Sequence, residues 1–228
     1  MTDRSAELTT AAESLGEGLG TIAGLVPWLA DQVRADAAAG RFAAWGQSTV
    51  IDENIAAAVI PRAVFDELHD LAGLQADWPI GNAGLLHVYG YLLSTVQTPY
   101  GLKRERWTEG ALATALGLDA AAFLPWRESP TTLERVTAAA LPILVAPVEP
   151  VLWLDDRAPG GARVRTVVLP GVLIYGIDDR LVTIFPLDTT VEGWRGAILS
   201  GRPRLRYNAV IEGMRPGADL ESRVVRSL

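Results

Sequence analysis

The chain has 228 residues, a net charge of −7, 49% hydrophobic and 21% charged residues, and no cysteine. These values exclude an intrinsically disordered chain, a disulfide framework, a thiolate nucleophile and a cysteine-ligated metal. They also work against a surface that coats nucleic-acid phosphates. The length suits one large domain or two small ones. The first twenty residues lack a basic stretch followed by an apolar one, so no signal peptide is expected. The apolar runs are short and broken by Pro and Gly, so no membrane span is expected and a cytoplasmic location is. Lys103 is the only lysine among 20 basic residues. Such arginine bias, with abundant alanine, suggests a high-GC bacterial genome.

Leu8, Ala11, Ala12, Leu15 and Leu19 recur near a 3.6 period and predict a first helix capped by Asp3 or Ser5. Gly16, Gly18, Gly20 and Gly24 interrupt it, each costing about 1 kcal/mol in a helix interior. Pro27 opens a second helix ending at Gly40, with Trp28, Leu29 and Val33 inward. Asp52 is expected to cap a short helix over 53–59, so that Asp52, Glu53 and Asn54 form a cap and a solvated first turn rather than a catalytic carboxylate pair. Pro61 starts a further helix, with Val64, Phe65, Leu68 and Leu71 on its apolar face. His69 falls among Asp66, Glu67 and Asp70 on the exposed one.

Asn82 caps the next helix, which runs to about Val96 and has almost no polar face, as befits the middle of a core. Thr98-Pro99-Tyr100-Gly101 ends it, and one mixed-charge helix is expected from Leu102 to Leu118. Beyond about residue 140 the pattern becomes strand-like. Leu141–Val145 and Val151–Leu154 read as strands, followed by a loop at Asp155 and Asp156. A three-stranded antiparallel meander over 163–169, 172–176 and 181–187 comes next, with turns at Pro170-Gly171 and Asp178-Asp179. A short helix over 190–200, a last strand over 204–213 and a polar tail complete the chain. The expected class is α+β: an N-terminal helical half (about 1–135) packed on a C-terminal, mainly antiparallel β-meander (about 140–213), with the tail 214–228, in one composite domain over 1–228.

His87, Tyr91 and Ser94 recur at i, i+4 and i+7 on the central apolar segment, with Thr95 beside them. Polar groups on a buried face need partners or a cavity. His87, Lys103 and Tyr91 are therefore the candidate catalytic residues. The histidine titrates near neutrality, and a lysine crowded by cations can act as a nucleophile. Tyr89, Tyr100, Arg104 and Arg106 are candidate substrate-binding residues around them. A second cluster, Arg202, Arg204 and Arg206 at strand period, shares a face with Asn208. Arg204, Arg206 and Asn208 are candidates for binding an anion, unless the arginines pair with Asp155, Asp156, Asp178 and Asp179 in the chain or across a homodimer. The chain has no GxSxG, Walker loop, GxGxxG or HExxH, and no metal or cofactor is expected.

The leading expectation is a cytoplasmic small-molecule enzyme that acts on a carboxylate-bearing metabolite by metal-independent acid/base chemistry, as a lyase, isomerase or hydrolase. No nucleic-acid or membrane partner is expected. The rival is a non-catalytic interaction or dimerisation module built on the arginine strand. A weaker alternative comes from the hairpin VLIYGIDDRLVTIFPL. It resembles the terminal hairpins of small bacterial ribonuclease toxins over less than a tenth of the chain, which implies RNA cleavage.

Overall fold

A computed structural model describes residues 4–127, 129–146, 152–158, 161–188, 190–200 and 225–227. The chain opens with α1 (Arg4–Gly16), the single turn α2 (Ile22–Leu25) and α3 (Pro27–Ala38). Leu8, Ala11, Ala12 and Leu15 form the buried stripe of α1. The expected break among the glycines lies between α1 and α2. Pro27 occupies the first turn of α3, and Gly40 follows it at φ 67°. Leu29 and Val33 are fully buried, while Trp28 is only partly so.

The short strand β1 (Gln47–Thr49) and the hairpin β2 (Ile51–Asp52) with β3 (Ala57–Ala58) follow. Here the helix expected over 53–59 is absent. Asp52 does cap a turn, its Oδ1 accepting from the Asn54 backbone N–H (2.8 Å), but the turn belongs to a hairpin. Next comes α4 (Arg62–Ala72), closed by Gly73 at φ 63°. His69 is buried rather than exposed. Its Nδ1 lies 2.7 Å from the Phe65 carbonyl, and its ring packs on Phe65.

After β4 (Ile80–Asn82), which pairs with β1, the central segment departs from the expected α-helix. It is a π turn over Leu85–Tyr89 followed by a 3₁₀ turn over Gly90–Leu93. Asn82 caps it as expected, accepting from the Leu85 N–H (3.1 Å). The His87 carbonyl accepts from the Trp107 indole N–H (2.8 Å), a partner outside the segment that regular i→i−4 spacing would not need. The hairpin β5 (Gln97–Thr98) with β6 (Gly101–Leu102) turns through Pro99-Tyr100, with Gly101 at φ 83°. The expected single helix after it is two short ones, α5 (Glu105–Thr108) and α6 (Ala111–Ala115), separated by Gly110 at φ 77°.

Helix α7 (Thr132–Val145) takes in Leu141–Val145, which the pattern assigned to a strand. Thr131 caps it through its hydroxyl, and Leu133, Val136, Ala140 and Leu144 continue one helical stripe into that stretch. Burial on a helix face outweighs the strand preference of Ile and Val. The helical part therefore extends past 135. Then come β7 (Leu152–Arg157), β8 (Arg163–Leu169), β9 (Val172–Ile177), β10 (Arg180–Pro186), helix α8 (Val191–Ser200) and β11 (Val225–Ser227). The sheet is antiparallel with order β10-β9-β8-β7-β11. The architecture is α+β, with Asp155 and Asp156 inside β7 rather than in a loop. Asp178 and Asp179 make the two-residue β9–β10 turn with φ of 49° and 60°. The expected strand over 204–213 lies outside the described residues.

Helix α7 packs across β8, β9 and β10. Arg165, buried in β8, donates to the Leu144 and Val145 carbonyls (2.7 and 3.2 Å) at the helix C-terminus, where carbonyls otherwise lack partners. On the other side, the Gly46 N–H donates to the Leu181 carbonyl (2.7 Å), joining the helical half to β10. One cluster of buried side chains runs from Leu8 in α1 to Ile184 in β10. No helix among the described residues is long and apolar enough to cross a membrane.

Gly176 lets α7 approach the sheet. A Cβ there would lie 2.3 Å from Leu144 Cδ2 and 2.6 Å from the Arg180 carbonyl oxygen. Backbone cannot step aside as a side chain can. Gly176→Ala is expected to destabilise the fold by about 3 kcal/mol, read as a lower urea midpoint with an unchanged slope.

Candidate functional site

A cavity of about 520 Å³ opens where the β2–β3 hairpin, the central turn, the β5–β6 hairpin with α5, and the end of β10 meet. His87 and Tyr91 form its inner wall. Their rings stack at 4.7 Å and 24°, so the i, i+4 adjacency survives the irregular helix. Ser94 is buried and does not line the cavity, and Thr95 is exposed.

Lys103 enters from the end of the β5–β6 hairpin, and its ammonium forms an ion pair with the Asp52 carboxylate. Both side chains are buried or nearly so, 11% exposed for Lys103 and 2% for Asp52. Burial acts to raise the Asp52 pKa. The Lys103 ammonium and the Asn54 N–H groups outweigh it and hold the group below its ordinary 3.8. Burial and the Arg106 charge lower the Lys103 pKa from its ordinary 10.5, and Asp52 resists that shift. Of the two arginines that flank Lys103 in sequence, Arg104 and Arg106, it is Arg106 that supplies the expected cation crowding.

Arg106 lies over three aromatic rings, with its Cζ 5.3 Å from the Tyr91 centroid and 5.9 Å from those of Trp107 and Phe185. Its Nη1 donates to the Thr183 hydroxyl (3.2 Å). Among the described residues no carboxylate lies within ion-pair distance of it. The Lys103 Nζ is 5.7 Å from the same Tyr91 ring, so both cations share that aromatic surface.

His87 is 2% exposed, and neither ring nitrogen has a hydrogen-bond partner among the described residues. Burial, then the charges of Arg106 and Lys103, push its pKa well below the ordinary 6.5. The register of β10 shifts between Leu181 and Thr183, and the Val182 backbone opposes the pKa shift without reaching hydrogen-bonding geometry. His87 is therefore a neutral imidazole at pH 7, able to accept a proton.

Two of the expected substrate-binding residues stand elsewhere. Tyr89 points away from the cavity, and its hydroxyl donates to the buried Asp36 carboxylate. In a turn that places His87 and Tyr91 on the cavity, the intervening residue faces the core. Arg104 is buried and donates to the Thr9 hydroxyl (2.9 Å) and the Ser94 carbonyl (2.6 Å), clamping α1 to the central segment. Tyr100 stands at the mouth, 72% exposed. Arg204, Arg206 and Asn208 lie outside the described residues. Asp155 and Asp179, expected among their counterions, pair with Arg163 (2.5 Å) and Arg165 (3.1 Å) within the described residues.

Asp52, Thr183 and Phe185 were not singled out as site residues from the sequence. The acidic stretch Asp52-Glu53-Asn54 between apolar segments was the available signal for Asp52. Thr183 and Phe185 reach the cavity by alternation along β10, and no local pattern marks them. Among the described residues no group of three or more His, Cys, Asp or Glu side chains could hold a metal ion. Comparison of the chain with protein-family models, curated proteins and solved structures finds no significant match.

Breaking the Lys103–Asp52 pair should leave a buried ammonium without its counterion. Asp52→Asn is expected to cost about 3 kcal/mol at pH 7. The loss should shrink toward pH 9.5, because the folded state then gains by shedding the lysine proton. Urea titrations at the two pH values measure both effects.

Both histidines have folded-state pKa values below 6.5, His69 mainly through burial as well. The unfolded chain therefore binds more protons in the window below pH 6.5, and stability falls as pH drops through it. His87→Gln should flatten this dependence, which a series of thermal melts between pH 7.5 and 5 would record.

Proposed function

We propose that this protein is a small-molecule enzyme that holds a carboxylate-bearing metabolite on Arg106 and moves a proton at His87. The observation that carries the reading is that Arg106, a cavity cation without a carboxylate partner, shares the lining with a buried His87 whose ring nitrogens have no hydrogen bond, both among the described residues. A guanidinium matches a carboxylate through two parallel N–H donors. Lys103 is already matched by Asp52, so Arg106 is the group a ligand carboxylate would neutralise.

Neutralisation has a chemical consequence. The Arg106 charge is one of the causes that keep the imidazole unprotonated. An anion seated on Arg106 removes much of that repulsion and makes His87 a stronger base when substrate is present. Tyr91, stacked on the imidazole, fixes its orientation. Lys103 supplies a second positive charge for negative charge that develops on the substrate. Proton abstraction or return at one substrate atom is the step shared by lyases, isomerases and hydrolases. The acid/base work is done by the chain's own side chains. The small-molecule reading fits a concave, partly apolar cavity with a few convergent polar groups.

The test follows the His87 ring by NMR with nitrogen-15 imidazole labelling. Acetate, propanoate and 4-methylpentanoate are titrated at constant ionic strength, with chloride as the control. Carboxylates should shift the His87 signals and raise its pKa, and Arg106→Gln should weaken this response by at least about tenfold. Carboxylates that leave the His87 signals where chloride leaves them would sink the reading.

A further inference from the structure

The cavity is not uniformly cationic, and this limits what a bound carboxylate can be. Its lining holds five carboxylates, Asp52, Glu53, Glu105, Glu109 and Asp188, against the two cations Lys103 and Arg106. Asp52 is taken up by Lys103, and Glu105 accepts from the Leu102 backbone N–H (2.9 Å). Glu109 and Asp188 are exposed, whereas His87 and Asp52 are buried. The exposed charges of the lining are thus negative, whereas the cations Lys103 and Arg106 are partly buried, Arg106 lying over the Tyr91 ring. A simple anion would meet unfavourable potential on its way to Arg106.

Resting on the reading of Arg106 as a carboxylate anchor, we propose that the ligand is an amino carboxylate, a zwitterion with its carboxylate on Arg106 and its ammonium group turned to the acidic rim at Glu109. Glu109 follows Arg106 by three positions at the end of α5, a spacing that puts both on one side of a helix, and both line the cavity. The buried His87 ring, whose nitrogens have no hydrogen-bond partner among the described residues, lies in the same cavity and is the second sign of a ligand there. The rim carboxylates offset the ammonium charge and discriminate against amines lacking a carboxylate, which have no partner for Arg106. They also discriminate against carboxylates lacking an ammonium group, whose attraction to Arg106 is opposed by the rim charges with nothing to offset them.

Calorimetric titration of the full chain at pH 7.5 and low salt tests this with two matched triplets. The first is L-leucine, 4-methylpentanoate and 3-methylbutylamine. The second is L-phenylalanine, 3-phenylpropanoate and 2-phenylethylamine. In at least one triplet the amino acid should bind about fivefold or more tighter than either single-charge analogue. Glu109→Gln should then weaken the amino acid by about threefold and tighten the carboxylate. Opposite signs are the signature of a direct charge contact, since a structural defect would weaken both. A carboxylate that binds as tightly as its amino acid overturns the zwitterion proposal and leaves the Arg106 anchor standing. An amine that binds best overturns both, and so does the absence of binding across both triplets at millimolar concentration.

Discussion

A buried carboxylate holds the middle of this fold in place. Asp36 on α3 is fully inaccessible and receives the Thr131 hydroxyl (2.7 Å), the Tyr89 hydroxyl and the Arg41 guanidinium (3.1 Å). Burial raises its pKa despite those three donors. Such a group is tolerated only when its acceptors are filled. It thereby ties together α3, the start of α7 and the central turn. Gln32, one helical turn earlier, adds a second tie. Its Oε1 accepts from the Thr132 N–H (2.9 Å), and its Nε2 donates to the Pro125 carbonyl (2.7 Å).

The consequence reaches the cavity through Tyr89. Anchored to Asp36, it fixes the rotation of the segment that carries His87 on one side and Tyr91 on the other. The segment is further held by the Trp107 indole on the His87 carbonyl and by Gly84 against Trp45 and Leu133. A polar wall on an otherwise apolar element is therefore set by contacts behind it. The bonds that support the segment lie outside the cavity.

Within the cavity the two cations have different surroundings. Lys103 and Asp52 satisfy one another, and their pair closes the β2–β3 hairpin onto the β5–β6 hairpin. Arg106 has aromatic faces and a threonine hydroxyl instead. Aromatic rings partly compensate a guanidinium and leave its donor edge available for hydrogen bonds. The irregular backbone around these groups serves the same end. The β10 register shift beside His87 and the Gly110 break after α5 both occur where side chains must converge from different elements.

Periodicity in the sequence determined much of this protein: the α+β class, helices α1, α3 and α4, with Pro27 and Pro61 at the starts of the last two and Gly40 after α3, and the β8–β9–β10 meander with its Asp178-Asp179 turn. Each depends on hydrophobic spacing and local backbone chemistry, which neighbouring residues carry by themselves. The stretch around His87, Tyr91 and Lys103 stood out for its rare polar residues, and those three side chains do meet at one cavity. Tertiary structure decided the rest. Leu141–Val145 became helical because Leu144 completes the buried stripe of Leu133, Val136 and Ala140 against the sheet. His69 was buried by the approach of β4, whose Gly81 leaves room for the ring. Tyr89 and Arg104 turned to Asp36 and Thr9, partners 53 and 95 residues away in the chain. Asp52 reached Lys103 across a separate hairpin. Where a side chain finds its charge or hydrogen-bond partner depends on which distant segments the core brings beside it, and local spacing carries no record of that choice.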